Sequence, residues 1–302
     1  MKKLLFTLII LNIASLYSIE YKEYDAFART YVPYDSTGIN PNRMAFSIAS
    51  TLVASAGSYY AVKTAWWYDQ AKDFHFDEGL DLIYSSNLDK FAHFYGGTVI
   101  QDIYYRSLRW SNMDEVPALW TSMGFSMFIQ VMIEMKDGYA HQWGFSLYDM
   151  MYGTLGSSYH LLQYKYPFLD DFNFKMSYYT VEDDYDPWRA NKFDEVIEDY
   201  PNQTYWLTWK TNNSLPNKVE KYWPDFLGLA LGFSVDDRIS MDPTDKYDKW
   251  EIYLAFDYDI EEMVKNVDSP IIKSIAHYLN YIKFPSPAIR FTPKFKAYGI
   301  YF

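Results

Sequence analysis

Residues 147–178, LYDMMYGTLGSSYHLLQYKYPFLDDFNFKMSY, contain the change of pattern that decides the fold. Before Pro167, small and apolar residues recur every three or four positions, which predicts a helix from about Leu147 to Tyr164. After Pro167 the period changes to two, so that Phe172 and Phe174 lie on one face of a strand. The sequence therefore predicts an α+β protein, with helices before this point and strands after it.

Three more helices are predicted on the N-terminal side. Two are runs without a charged residue, 44–62 and 116–133, and the third extends from about Leu88 to Leu108. Both uncharged runs are long enough to cross a membrane. Serine, threonine and glycine dilute the first run, however, and the other helices carry Asp102, Arg106 and His160. We therefore expect a bundle of about four helices whose apolar helices are central and covered, with a membrane-embedded bundle as the alternative.

On the C-terminal side, period-two patterns predict roughly six antiparallel strands, each with one buried face. The clearest patterns are 172–178, 205–209, 227–235 and 250–258. One C-terminal helix is expected from Ile260 to Phe284, and the chain ends with Tyr298, Ile300 and Phe302 on one face of a last strand. The predicted architecture is thus a helical bundle followed by an antiparallel, aromatic-rich sheet.

The composition excludes several classes of protein. The 302 residues include 27 basic and 39 acidic side chains, for a formal net charge of −12, and 31 tyrosines. Nucleic acid is excluded as a partner, because no basic cluster is present to neutralise phosphates. With 49% hydrophobic residues and no cysteine, the chain is neither disordered nor stapled by disulfides.

The first residues are typical of an export signal. Lys2 and Lys3 precede an apolar stretch from Leu4 to Ile13, and a segment that contains small residues follows from Ala14 to Ser18. We therefore predict a signal peptide at 1–18, a helical domain at 19–166 and a tyrosine-rich, β-containing extension at 167–302 that packs on the bundle. The expected location is the periplasm or the outer membrane, with the inner membrane as an alternative. Without a cysteine the chain is not expected to be a conventional lipoprotein.

Residues that carry chemistry lie in the helical part. Asp89 and His93 are four apart on one helix, and Glu134 and Asp137 are three apart on another, so each pair shares a face. Ser146 and Asp149 begin the last helix of the bundle. Side-by-side packing of these helices would bring one imidazole and up to four carboxylates together, enough for a metal site or for a general acid and base.

Each of these residues also has a structural explanation. Ser146 with Asp149, and Ser86 with Asp89, fit the pattern of a helix N-cap followed by a carboxylate three residues on. His93 has an explanation as a buried hydrogen-bond donor. Four glycines are expected to let helices touch, since no phosphate-binding fingerprint surrounds them. They are Gly96, Gly97, Gly153 and Gly156.

Together these motifs resemble a family. The blocks, in order, are Asp89-Lys90-x-x-His93 with Gly96-Gly97, Glu134-x-x-Asp137, and Gly144-Phe145-Ser146-x-x-Asp149. They resemble the YfiM-like family of predicted bacterial envelope lipoproteins, a domain of unknown function, over residues 88–159. More loosely they are similar to the VanZ-like membrane proteins, which have an asparagine at the place of Gly153 and a glutamine at that of Asp137. The resemblance implies an envelope location and no particular reaction.

Two functions follow as hypotheses. The first is a non-catalytic envelope protein whose polar cluster, with Lys90 as a member, fixes helix register, while the aromatic sheet binds a lipid, glycan or protein partner. The second is an envelope hydrolase, with His93 as base and Asp89 as its orienter. In a metal-dependent form the expected ligands are His93, Glu134, Asp137 and Asp149. The sequence identifies no cofactor.

Overall fold

A computed structural model describes residues 23–25, 30–32, 38–67, 69, 73–79, 82, 84–179, 199–211, 214–235 and 250–302. The predicted signal peptide lies outside these residues. The chain divides into two compact units. One comprises Met1–Asp77, Gly96–Tyr166 and Val267–Ile275, and the other Glu78–Tyr95, Pro167–Asn266 and Ala276–Phe302.

Four long helices form the helical part, as predicted. They are α1 Pro41–Trp66, α2 Leu88–Trp110, α3 Glu115–Asp137 and α4 Leu147–Lys165. The local sequence explains where α1 begins. The side chain of Asn40 accepts hydrogen bonds from the backbone N–H groups of Asn42 and Arg43, both at 3.1 Å, and Pro41 takes the first helical position, where an N–H is not needed. A short hairpin, β1 Glu23–Asp25 with β2 Thr30–Val32, precedes them.

The strands form one six-stranded antiparallel sheet in chain order. Its strands are β3 Phe172–Tyr178, β4 Gln203–Trp209, β5 Leu227–Val235, β6 Trp250–Tyr258, β7 Ser286–Thr292 and β8 Lys296–Tyr301. Short helices α5 Asn217–Glu220, α6 Ile260–Met263 and α7 Pro270–Leu279 connect them. The predicted C-terminal helix is confirmed as α7, but the range of helical spacing from Ile260 to Phe284 contains two separate helices, α6 and α7. Pro270 begins a separate helix because proline is compatible with the first turn but not with a helix interior.

The helical part has a polar interior. On α3 the buried residues follow a four-residue spacing, and most of them are polar. They are Ala118, Leu119, Ser122, Ser126, Gln130 and Glu134. The large apolar side chains of the same helix are exposed, including Trp120 at 56% and Phe128 at 55%. The prediction that the apolar runs would be covered is therefore wrong, because the faces that touch other helices are the polar ones.

The sheet shows a similar distribution. The face of β6 that carries Glu251, Tyr253, Ala255 and Asp257 is buried. The opposite face of the sheet exposes large apolar side chains at positions 231, 254, 256, 289 and 291. The buried face combines aromatic rings with hydrogen-bonded polar groups. Trp206, for example, is 1% exposed and donates its indole N–H to Ser177 Oγ at 2.9 Å.

Candidate functional site

The first turn of α2 carries the motif Asp89-Lys90-x-x-His93. Lys90 and Asp89 are 2% and 4% exposed, and Lys90 Nζ lies 2.8 Å from Asp89 Oδ2. His93 is half-buried. The backbone before the helix is left-handed, with φ of 49° at Ser86, so Ser86 does not adopt the extended conformation of an N-cap residue. The predicted capping arrangement of Asp89 with Ser86 is therefore wrong, and Asp89 forms an ion pair with Lys90.

The end of α3 and the start of α4 are joined by hydrogen bonds of two predicted site residues. Glu134 is 1% exposed, and its Oε2 accepts the backbone N–H of Ser146 at 3.0 Å. Ser146 Oγ in turn accepts the N–H of Asp149 at 3.1 Å, which is the predicted N-cap. Two backbone donors at the start of α4 are satisfied in this way. Glu134 and Asp149, which is 7% exposed, therefore occupy fixed positions on adjacent helices.

Asp137 has a different environment. Its Oδ1 accepts a hydrogen bond from the indole N–H of Trp67 at 2.7 Å. One turn separates Asp137 from Glu134, but the indole of Trp67 holds the Asp137 carboxylate in a contact of its own.

The helices approach closely at the predicted glycines. A Cβ added to Gly97 on α2 would lie 2.6 Å from the carbonyl oxygen of Gly153 and 2.9 Å from the N of Ser157, both on α4. Ser126 on α3 donates its hydroxyl to the carbonyl oxygen of Gly97 at 2.8 Å. Thr98 Oγ1 donates to the carbonyl oxygen of Gly156 at 3.2 Å. These residues set the spacing of three helices, which is a packing role.

Gly96 and Gly153 both lie beside Gln130 of α3. A Cβ on Gly153 would lie 2.8 Å from the side chain of Gln130, and one on Gly96 would lie 3.9 Å from its Nε2. Gln130 is 2% exposed, so the absence of a side chain at Gly153 makes room for a buried amide, whereas a Cβ on Gly96 would be in ordinary van der Waals contact with it.

The predicted ligands are divided between the two compact units. Glu134, Asp137 and Asp149 belong to the unit that includes Gly96–Tyr166. His93 belongs to the unit that includes Glu78–Tyr95, and it lies one turn before Gly97 on α2.

Sequence reasoning missed the polar row that leads to Glu134. Ser122, Ser126, Gln130 and Glu134 are buried at spacings of four on α3. Ser126 Oγ lies 2.8 Å from Ser157 Oγ on α4. The signal was present, because polar residues at every fourth position of an otherwise apolar run indicate a polar face.

His160 of α4 is a second buried imidazole. Its Nδ1 lies 2.8 Å from Gln163 Oε1, and its backbone N–H donates to Gln101 Oε1 at 3.3 Å. In the described residues it belongs to no group of potential metal ligands. These contacts indicate a structural role.

Comparison with known families gives one result. Residues 77–165 match the model of a family described as predicted periplasmic lipoproteins, a domain of unknown function (DUF2279). The match covers less than a third of the 302 residues and contains all the predicted site residues. No curated protein and no solved structure matches the chain. The family match indicates an exported protein of the cell envelope.

Proposed function

We propose that the protein is a membrane-embedded component of the cell envelope, with a structural or binding role and with lipid acyl chains surrounding its helical part. One observation carries this proposal. The helices α1, α3 and α4 direct polar side chains inward and large apolar side chains outward, the reverse of what a bundle in water does.

The apolar surface is extensive on each of these helices. On α3 only 28% of the most apolar 18-residue window is buried, whereas the core helix of a soluble protein is mostly buried. On α1, Leu52 and Tyr60 are 61% and 60% exposed, and on α4 Leu147 is 66% exposed. Such a surface in water is unfavourable by ~25 cal/mol for each Å². Acyl chains remove that cost.

The interior fits the same environment. Helices in lipid associate through small residues and hydrogen bonds between polar side chains, since hydrophobic burial does not drive their contact. Ser126 with Ser157, and Ser47 with Ser111 at 3.1 Å, are contacts of this kind. The 23 residues of α3 extend about 34 Å at 1.5 Å per residue, enough to cross a hydrocarbon core of about 30 Å.

The charge of the protein favours insertion over surface attraction. At a net charge of −12 the chain is repelled by anionic headgroups, so basic residues do not hold it to a membrane. None of the 302 residues is a cysteine that could carry an acyl anchor. The exposed apolar faces supply the attachment in this proposal.

Membrane fractionation tests the proposal. The full chain in cell membranes is expected to resist extraction at alkaline pH and to require detergent for release. A variant with Trp120→Glu, Phe128→Glu and Met132→Glu is expected to lose this resistance, because each charge costs ~3 kcal/mol in hydrocarbon. Release of the unaltered protein by alkali alone would contradict the proposal.

A matched control places the same charges elsewhere. Phe168→Glu, Tyr222→Glu and Phe295→Glu replace side chains that are 65%, 81% and 71% exposed and lie outside α1–α4. This variant is expected to stay in the membrane fraction. If both variants are released equally, added charge and not the α3 surface controls extraction.

An envelope hydrolase is the second candidate, and two buried carboxylates on adjacent helices, Glu134 and Asp149, favour it. The imidazole of His93 would serve as base or metal ligand and the carboxylates as ligands or acids. In a strain with a loss-of-gene phenotype, His93→Ala and Glu134→Gln are each expected to reproduce that phenotype at normal protein levels. Full complementation by both variants would reject catalysis at this group.

A further inference from the structure

We infer that Lys283 makes the stability of the sheet depend on pH, because the fold accommodates its neutral amine better than its ammonium ion. This role does not depend on the membrane proposal. Lys283 lies between α7 and β7, and its neighbours belong to the same compact unit, which includes Pro167–Asn266 and Ala276–Phe302. The pH-sensitive element is thus a buried amine whose contacts match one of its two protonation states.

The hydrogen bonds of Lys283 match a neutral amine. The residue is 3% exposed, and its Nζ donates to the carbonyl oxygen of Phe284 and to Ser286 Oγ, both at 2.8 Å. The Ser286 hydroxyl donates in turn to the carbonyl oxygen of Phe256 at 2.7 Å. These two acceptors satisfy the two N–H groups of a neutral amine, whereas an ammonium has three. Within the described residues, the third N–H would find no oxygen acceptor and would meet the ring of Trp206, whose centroid lies 5.1 Å from Nζ.

Lys175 on β3 shows what a buried ammonium has in the same sheet. It is 1% exposed, and its Nζ has three oxygen acceptors for its three N–H groups. They are Asp257 Oδ2 at 2.9 Å, the carbonyl oxygen of Tyr258 at 2.8 Å and Asn280 Oδ1 at 2.9 Å. One of the three is a carboxylate, which compensates the charge. In the part of the chain that the structure describes, no carboxylate lies within ion-pair distance of Lys283.

The charges on neighbouring strands give the same result. The charged groups that act on Lys283 are Asp257 on β6 and Lys175 on β3. These two pair with each other, and Asp257 Oδ1 is buried without a hydrogen bond from any described residue, Lys283 included. Protonation of Lys283 therefore gives this buried group two positive charges and one negative. The ring of Trp206 compensates the surplus only in part.

The direction of the pH dependence follows from the proton balance. Burial lowers the pKa of Lys283 to about 8, and Asp257 opposes this change while Lys175 adds to it. The ordinary value, which applies to the unfolded chain, is 10.5. Between these values the unfolded chain holds a proton that the folded chain has released, so stability rises as the pH rises through this window. Below it both states are protonated, and the full cost of the buried charge is present.

Urea unfolding of the full chain in a mild detergent, followed by tryptophan fluorescence, tests the inference. The measurement compares the unaltered chain with Lys283→Met from about pH 7 to about pH 10. Methionine carries no charge, so the ratio of the two unfolding constants isolates Lys283 from groups that titrate in both chains. This ratio is expected to change by roughly 70-fold, with the unaltered chain gaining stability relative to the variant as the pH rises.

The comparison with a variant is needed because tyrosines act in the opposite direction. Burial raises the pKa of Tyr205, Tyr253 and Tyr301, so their ionisation in the unfolded chain lowers stability at alkaline pH. Lys218→Met is the matched control, because this lysine is exposed on α5. Its effect on stability is expected to be small and the same at each pH.

A second variant, Lys283→Gln, keeps a polar end at this position and is expected to behave as Lys283→Met does. A ratio that does not change with pH in the folded variants would overturn the inference, as would an equal change in Lys218→Met. If neither variant folds, the unaltered chain decides. Its stability is expected to rise from about pH 8 to about pH 9.5, and a flat or falling stability there would reject the role of Lys283. Failure leaves the membrane proposal standing, because extraction by alkali does not depend on this lysine.

Discussion

Gly97→Ala is expected to destabilise the helical part by ~3 kcal/mol, because the added methyl group meets backbone atoms that cannot move alone. Its Cβ would lie 2.6 Å from the carbonyl oxygen of Gly153 and 2.9 Å from the N of Ser157. To relieve the contact, α2 and α4 must separate, which also disturbs the hydrogen bond from Ser126 to Gly97. The melting temperature in detergent is expected to fall by roughly 6–12 °C.

Gly124→Ala is the matched control. Gly124 lies on α3, and a Cβ there meets no atom within 4 Å. Alanine forms helices more readily than glycine, so this change is expected to stabilise the protein by ~0.5–1 kcal/mol. Opposite shifts of the two melting temperatures would confirm that close helix approach at Gly97 is required. Equal shifts would show that the contact at Gly97 carries no stability.

Asp257→Ala is expected to destabilise the sheet by ~3–5 kcal/mol, because it leaves the ammonium of Lys175 buried without its carboxylate. Lys175 is 1% exposed, and its Nζ lies 2.9 Å from Asp257 Oδ2. The same Nζ also donates to the carbonyl oxygen of Tyr258 and to Asn280 Oδ1. These neutral acceptors do not compensate a buried positive charge. Thermal unfolding followed by tryptophan fluorescence measures the loss.

An exposed ion pair serves as the control for Asp257. Lys265 Nζ lies 2.7 Å from Asp225 Oδ2, with both side chains about half exposed. Asp225→Ala is expected to change stability by ~1 kcal/mol or less, as exposed pairs do. The double variant Lys175→Met with Asp257→Leu is expected to recover most of the loss, since it removes both buried charges. A severe loss in the double variant would show that the polar contacts, and not the charge balance, stabilise this region.

Much of the fold was predictable, because the relevant signals are local. The helix boundaries near Leu88, Leu147 and Pro167 follow from three- and four-residue spacing and from proline, and the strands from their period of two. The break at Pro270 was missed because the apolar positions on either side of it continue with helical spacing, although proline is itself a signal for a helix start.

The interior of the bundle was predicted with the wrong polarity. The mean hydropathy of an uncharged run is high, and for that reason the prediction placed these runs in the centre of the bundle. The buried positions of α3 are instead the few polar ones, including Ser122, Ser126 and Gln130. Average hydropathy does not report which face of a helix packs, because that depends on the position of polar residues around the helix.

The candidate site was predictable only in part. The side chains named from sequence included His93, Glu134 and Asp149, but also Asp89 and Asp137 on the same helix faces. The structure pairs Asp89 with Lys90 and joins Asp137 to Trp67. Spacing along a helix specifies a shared face, whereas the choice of partner depends on side-chain rotamers and on which helix lies opposite.

The sequence by itself determined the order and type of the elements, the acidic charge and the residues able to carry chemistry, because these properties depend on near neighbours in the chain. Only the tertiary structure decided that polar side chains of the helices face inward. The physical reason is that helix packing joins residues far apart in sequence. The close contact at Gly97, where a Cβ would lie 2.6 Å from the carbonyl oxygen of Gly153, sets the separation of α2 and α4.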